Sequence, residues 1–269
     1  MTEPVSRHFD VEKTWDEFVA VIGGELVRNL LPGDPPIRNA DYLFRADGVV
    51  CEMKTMRKDL LRSADIQAKL DKLYHRWAAQ GLVPPIPAGR QKVDSKTLPE
   101  KCQIQWMNVL KRPLKEAVEK ANKQIKQTKS HLDLPDARGL LLLVNDGNYT
   151  YELDVVAYLT SHLLKPRFDS NGQPQPARYK SIDTILYMTM NMPVLIGGAG
   201  VLNSDIQSWG DFFRDSQRVE RKFMDRLRDQ WWDFLGQITG QPIPRIRILE
   251  PSTISEARFT QEGREDGEI

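Results

Sequence analysis

Two carboxylates and one lysine lie near the start of this 269-residue chain, at Asp41, Glu52 and Lys54. Glu52 and Lys54 occupy alternate positions of one apolar segment, so both side chains project from the same face if that segment is a strand. Carboxylates that converge on one point offer the oxygen ligands that Mg²⁺ prefers. A lysine beside them can orient a water molecule and stabilise charge on a phosphate, and together these groups suffice to hydrolyse a phosphodiester bond.

The surrounding pattern predicts a helix followed by a strand hairpin that would position these side chains. Thr14 to Glu17 resembles a capping box, and apolar residues at helical spacing continue to Leu30, so a helix is predicted between them. Strands are predicted at Asp41 to Arg45 and Val49 to Thr55, joined by a tight turn at Asp47-Gly48. In the second strand, one face carries Val49, Cys51 and Met53, and the other carries Val50, Glu52 and Lys54.

Further helices and strands follow along the chain. Helices are predicted at Ser63 to Gln80, Pro113 to Lys129, Tyr151 to Leu164 and, as one helix or a pair, Trp209 to Ile238. Strands are predicted at Gly139 to Val144, Thr184 to Met190 and Pro193 to Ile196. The order predicts an α/β or α+β domain in which helices pack on a mixed sheet.

Charge is distributed unevenly although the formal net charge is only +1. The segment from Arg57 to Lys129 holds 17 Lys and Arg against 7 Asp and Glu, which favours either an anion-binding surface or a solvated helical face. The two cysteines, Cys51 and Cys102, form no metal-binding pattern, so we expect reduced thiols and a cytoplasmic location. No apolar run predicts a membrane span, and residues 1–10 lack the hydrophobic segment of an export signal.

Asp41, followed eleven residues later by Glu52-Met53-Lys54, resembles the motif of the PD-(D/E)xK nuclease superfamily, which includes restriction endonucleases, Holliday-junction resolvases and repair nucleases. The resemblance covers roughly residues 15–144 and implies a restriction-endonuclease-like mixed central sheet flanked by helices. It implies Mg²⁺, with Mn²⁺ as a substitute, bound by Asp41, Glu52 and the backbone carbonyl of Met53, while Lys54 positions the attacking water. The chain departs from the family in having Ala40 where a proline often precedes the aspartate, and in a helical insertion at about 57–112.

The resemblance also implies roles for residues outside the motif. Glu25, in Gly24-Glu25-Leu26-Val27 of the predicted first helix, is expected to be an auxiliary metal ligand, and the alternative is a solvated helix residue. Gln124 is expected near the scissile phosphate. Phosphate contacts are also expected from Arg57, Lys58, Lys123 and Lys126. For Gln124, Lys123 and Lys126 the alternative is an ordinary polar helix face.

The expected protein is a single domain over residues 10–250, with a core at about 14–200, a C-terminal helical part at about 205–240 and a polar, acidic, disordered tail at 251–269. The expected activity is an endonuclease that cuts DNA, and the expected state is a homodimer. Three alternatives remain open. They are a catalytically inactive subunit of this fold that binds nucleic acid or a protein, an interaction module built on residues 209–238, and an enzyme that acts on RNA. The aromatic side chains of that last segment favour core or dimer packing over base stacking.

Overall fold

A six-stranded mixed sheet lies at the centre of the fold, and helices cover both of its faces. The computed structural model describes residues 9–31, 38–57, 61, 63–85, 93, 97–148, 150–165, 167–191, 193–196, 199–202, 209–213 and 218–240. The sheet has the order β1-β2-β3-β4-β7-β10. Its strands are β1 (Glu25–Leu26), β2 (Tyr42–Phe44), β3 (Val49–Met56), β4 (Arg138–Asp146), β7 (Thr184–Met190) and β10 (Trp209–Phe213).

Six α-helices, a 3-10 helical turn at Arg45–Asp47 between β2 and β3, and two small strand pairs complete the described elements. The helices are α1 (Val11–Val21), α2 (Val27–Leu30), α3 (Ala64–Ala79), α4 (Glu100–His131), α5 (Leu153–Leu164) and α6 (Arg221–Thr239). The strand pairs are β5 (Arg167–Phe168) with β6 (Pro174–Gln175), and β8 (Pro193–Ile196) with β9 (Ala199–Leu202). Within the described ranges, no helix combines the length and the apolar character needed to cross a bilayer.

The sheet is antiparallel at both edges and parallel at its centre. Strands β1, β2 and β3 form an antiparallel meander, β3, β4 and β7 run parallel, and β10 pairs antiparallel with β7. The expected mixed sheet flanked by helices is therefore confirmed as a fold class. Strand β4 (Arg138–Asp146) contains the predicted apolar run and extends beyond it at both ends. Its central residues are fully buried because helices pack on both sides of the sheet.

Two apolar layers follow from the alternation within β3. Val49, Cys51 and Met53 belong to the layer beneath α1 and α6, where Trp15 stacks on Trp231 with ring centroids 4.5 Å apart. Val50 belongs to the opposite layer, beneath α4 and α5. The predicted division of β3 into two faces is confirmed, and it places Glu52 and Lys54 on the α4 side of the sheet.

The first helix is shorter and starts earlier than predicted. Asp10 is the N-cap and accepts a hydrogen bond from the Lys13 backbone N–H, whereas Thr14 lies inside α1. The helix ends at Val21 and is followed by Gly23, whose φ of +77° belongs to the left-handed region. The prediction of a helix reaching Leu30 is therefore wrong. The chain turns back at Gly23, and Glu25–Leu26 pairs with β2 as the edge strand β1.

The long helix α4 begins well before the predicted start at Pro113. Pro113 lies inside this helix. The helix continues through it because Leu110 and Leu114, on either side of the proline, are buried against the sheet. Its N-terminal part also packs on α3, where the Trp77 indole N–H donates to Gln105 at 3.0 Å. The expected helical insertion at 57–112 is thus α3 together with the first turns of α4, and it has a small apolar cluster of its own.

The C-terminal aromatic segment divides into a strand and a helix. Trp209–Phe213 forms β10 on the free edge of β7, so the predicted helix over residues 209–238 is wrong for its first part. Helix α6 buries Phe223, Trp231 and Phe234 in the layer shared with α1, which confirms core packing for those aromatic side chains. The predicted tail at 251–269 lies outside the described residues, as do residues 1–8 and 32–37.

Candidate active site

Asp41 immediately precedes β2 and faces β3. Its backbone N–H donates to the Cys51 carbonyl at 3.2 Å, which extends the β2–β3 ladder by one residue. Its side-chain Oδ2 accepts a hydrogen bond from the backbone N–H of Met53 at 2.8 Å. This bond holds the Asp41 carboxylate beside the middle of β3, next to the two motif residues on that strand.

Glu52 and Lys54 lie on the same face of β3, as predicted. Glu52 is only 1% exposed, and its Oε1 is in direct contact with the ammonium Nζ of Lys54. Its other oxygen, Oε2, is buried and accepts no hydrogen bond from a donor among the described residues, and the carboxyl of Asp41 is the neighbour with which Glu52 can share a proton. A buried carboxylate oxygen without a donor costs free energy, so this oxygen marks a position where a further cation or donor would be stabilised.

Gln124 of α4 connects the helix to this group of residues. The Lys54 ammonium donates to Gln124 Oε1 at 2.9 Å, and Gln124 Nε2 donates to the Asn39 carbonyl at 2.9 Å. Both ends of the amide are therefore used, which fixes its orientation and restrains the Lys54 side chain. The sequence analysis expected Gln124 near the scissile phosphate, and in the structure its side chain contacts the motif lysine.

Burial and crowding of the two carboxyl groups change their proton affinities. The pKa of Glu52 is raised to about 8, mainly by burial and next by the nearby Asp41 carboxylate, while Lys54 opposes both effects. Burial also raises the pKa of Asp41, while the hydrogen bond from Met53 and the charge of Lys54 oppose that rise. Two ionised carboxylates at this point therefore require more positive charge than Lys54 supplies.

A third acidic group, Asp16 of α1, lies close enough to influence Asp41 and was not singled out from the sequence. Its charge raises the pKa of Asp41, although burial is the larger cause. Both of its oxygens accept from the Arg28 guanidinium, at 2.6 and 3.3 Å. No spacing rule in the sequence signals this pair, because it depends on the turn after α1 that folds α2 back against it.

Glu25 does not have the position expected for an auxiliary ligand. It lies in the edge strand β1 opposite Leu43 instead of in a helix, and its carboxylate pairs with Arg45 at 2.9 Å. Arg45 follows β2, whereas Asp41 precedes it, so the ion pair directs Glu25 toward the other end of that strand. The prediction of a helical Glu25 is wrong, and the contacts of its side chain are with Arg45.

The expected phosphate-binding residues are spread over different surfaces. Arg57 contacts Glu12 at 3.3 Å and Asp146 at 3.4 Å, and Lys58 lies outside the described residues. Lys123 and Lys126 are both exposed. At 100° per residue, Lys126 projects from the flank of α4 opposite Gln124, so the structure does not bring it to the Asp41–Glu52 group.

A divalent cation would find only part of its ligand set in protein side chains. No group of three or more His, Cys, Asp or Glu side chains suited to a metal occurs in the described part of the chain. Asp41 and Glu52 supply two carboxylates, which suits Mg²⁺ because this ion keeps several waters. The unpartnered Glu52 Oε2 and the raised pKa of both carboxyls fit a cation at this position.

No family model, curated protein or solved structure significantly matches this chain. The functional interpretation therefore rests on the geometry of the Asp41, Glu52, Lys54 and Gln124 side chains.

Proposed function

We propose that this chain is a Mg²⁺-dependent endonuclease of the PD-(D/E)xK type that hydrolyses phosphodiester bonds in DNA. The observation that carries the proposal is the convergence of Asp41, Glu52, Lys54 and Gln124 on one point beneath α4, around a buried carboxylate oxygen that lacks a partner. Such a concentration of perturbed titratable groups is typical of catalytic sites.

The order of elements supports the same proposal. In the PD-(D/E)xK superfamily, which this segment resembles, the motif lies on a strand hairpin. A helix precedes that hairpin, and a helix and a strand follow it. Here α1 precedes the β2–β3 hairpin, α4 follows, and β4 returns parallel to β3. The helical insertion enters between β3 and β4, so it does not interrupt the strands that hold the motif.

Asp41 and Glu52 would hold the metal, together with the backbone carbonyl of Met53, and Mn²⁺ would replace Mg²⁺. When bound, this cation supplies Lewis-acid polarisation of the phosphate. The carboxylates must be deprotonated to act as ligands, and Glu52, with a pKa of about 8, releases its proton most readily when a second positive charge is present.

Lys54 carries the positive charge closest to Glu52, and we assign it to water positioning and stabilisation of a phosphate oxygen. Gln124 restrains the ammonium through Oε1, so Lys54 has one donor directed to Glu52 and another to α4. The described residues supply no partner for its third N–H, which can orient a further group, because an ammonium has three donors. A preorganised donor of this kind stabilises charge that develops during the reaction.

A cleavage assay with matched variants tests this proposal. Supercoiled plasmid is incubated with the protein in Mg²⁺, Mn²⁺ or EDTA, and the variants are Lys54→Ala and Glu52→Gln. Lys13→Ala and Glu17→Gln serve as controls, since they make similar changes of charge at exposed positions on α1. We expect the two site variants to lose about 100-fold or more of the rate and the controls to retain it. Equal cleavage by Lys54→Ala and the unaltered protein would refute the assignment.

A catalytically inactive subunit that binds nucleic acid is the second candidate. It is favoured by one observation, namely that Lys54 already pairs with Glu52 and only two carboxylates meet there in the described residues. Binding of DNA without cleavage in either metal would support it. The same assay with RNA of matched length distinguishes the substrates, and the solution mass distinguishes the proposed homodimer from a monomer.

A further inference from the structure

One flank of α4 collects cationic side chains on the side opposite Gln124. Lys111, Lys115, Lys126 and Lys129 fall within about 60° of one another around the helix, at 100° per residue. They extend over 18 residues, or about 27 Å of helix. Acidic side chains on this flank are few, and Glu119 is paired with Lys115 at 3.6 Å.

The C-terminal end of this flank opens into a cavity of about 270 Å³. Three cations line it, namely Lys129, Arg138 and Lys180, together with Asp136 and Asp183. Asp183 is already engaged, because its Oδ2 accepts from the Gly139 backbone N–H at 2.7 Å and lies 3.6 Å from the Lys129 ammonium. Among the described residues, Arg138 and Lys180 form no ion pair, so their charges remain available to a ligand.

Burial, and to a smaller extent the neighbouring cations, disfavour the charged form of two of these lysines. Burial lowers the pKa of Lys111, and the charges of Lys165, Lys115 and Arg178 lower it further. Burial likewise lowers the pKa of Lys129, and Arg138 adds to that effect although Asp183 opposes it. Like charges that gather along one surface are stabilised by a partner of opposite charge.

We propose that this flank, defined as Lys111, Lys115, Lys126, Lys129, Arg138 and Lys180, binds the phosphate backbone of a nucleic acid at a surface separate from the Asp41–Glu52 group. The length of the flank favours a polymer over a small anion, since it can follow several consecutive phosphates. The cavity at its end receives one phosphate group between Arg138 and Lys180. Helix α4 stands between the two regions, because Gln124 faces Lys54 and the flank faces away from it.

Anisotropy of a labelled 15-nucleotide single-stranded DNA, measured in EDTA at several NaCl concentrations, tests the proposal. The variants are Lys115→Ala/Lys126→Ala on the helix and Arg138→Ala/Lys180→Ala at the cavity. The control is Lys13→Ala/Lys222→Ala, which removes the same charge from α1 and α6 on the other face of the sheet. We expect each flank variant to weaken binding at low salt by about tenfold and to reduce the salt slope by about 1.4. The control should stay within twofold of the unaltered protein.

Several results would overturn the proposal. They are equal weakening by the flank variants and the control, no weakening by the flank variants, and tighter binding to phosphatidylserine vesicles than to DNA. Because no cleavage is measured in EDTA, a failure of the proposed nuclease activity leaves this result unaffected, and the two proposals are tested separately.

Discussion

Replacement of the buried Glu52 by glutamine should stabilise the protein in the absence of metal, and the gain should grow with pH. Glutamine retains the shape and polarity of the protonated acid but cannot ionise. In the folded protein the pKa of Glu52 is about 8, against an ordinary value of 4.5. Between these two values the folded state holds a proton that the unfolded state releases, so the stability of the unaltered protein falls as pH rises through this window.

The expected gain follows from this difference in pKa. Below pH 4.5 both states are protonated and Glu52→Gln changes little. By pH 7 the gain in the free energy of unfolding reaches about 3 kcal/mol, and above pH 8 it levels off at about 5 kcal/mol. For a chain of this size, 3 kcal/mol corresponds to a rise in Tm of about 6–12 °C. The loss of the contact with Lys54 is already contained in these values, because Lys54 contributes to the pKa of Glu52.

Thermal unfolding in EDTA at pH 5, 6, 7 and 8 measures this dependence. Glu17→Gln is the control, since that side chain is 54% exposed, and its effect should not vary with pH. Addition of 10 mM Mg²⁺ should raise the Tm of the unaltered protein but not that of Glu52→Gln, because a ligand stabilises only the state that binds it. A Tm for Glu52→Gln that is equal to or below that of the unaltered protein at pH 8 would refute the reasoning.

Three further substitutions test other parts of the fold and site. Trp231→Ala removes the α6 ring that stacks on Trp15 of α1, and it should lower the free energy of unfolding in urea by about 3–5 kcal/mol. Ile238→Ala, at an exposed position of the same helix, should lower it little. Gly139→Ala should destabilise by about 3 kcal/mol, because a Cβ would meet the Ser181 carbonyl oxygen at 1.7 Å, and an unchanged urea midpoint would contradict this. Gln124→Leu should lower kcat about tenfold with little change in KM, since it releases Lys54, and an unchanged kcat would contradict the positioning role.

Local pattern was sufficient to predict the part of the site that lies on one strand. Alternation in β3 assigned Glu52 and Lys54 to one face because side chains in a strand alternate with a period of two, whatever the strand pairs with. The buried strands β4 and β7 were predicted for a similar reason, since long apolar runs are typical of strands covered on both faces.

The errors occur where tertiary pairing overrides local periodicity. Glu25 and Leu26 fit the apolar spacing of α1, yet the turn at Gly23 allows them to pair with β2. Trp209–Phe213 fits the helical spacing of the residues that follow it, but it forms a strand that pairs with the edge of β7. The Asp16–Arg28 pair escaped prediction because its two residues meet only after that first turn has formed.

The position of α4 over the motif depends on a contact that a proline could not make. Ala40 precedes Asp41, and its backbone N–H donates to the Thr128 hydroxyl at 2.7 Å in a buried environment. The PD-(D/E)xK motif that this segment resembles often has proline at that position. Proline lacks this N–H, so the departure from the motif is matched by an acceptor on α4. Thr128 lies one helical turn after Gln124, and the bond therefore fixes the register between the helix and the residues around Asp41.

Thr128→Val should thus act on both stability and the site. It leaves the Ala40 N–H buried without an acceptor, which costs about 1–3 kcal/mol, and it loosens the turn of α4 that carries Gln124. Thr128→Ser keeps the acceptor and should restore the cleavage rate while remaining slightly less stable through the loss of one methyl group. Urea unfolding and the plasmid assay measure the two effects. Equal rates for Thr128→Val and Thr128→Ser would show that the contact supports the fold alone, and that Gln124 reaches Lys54 without it.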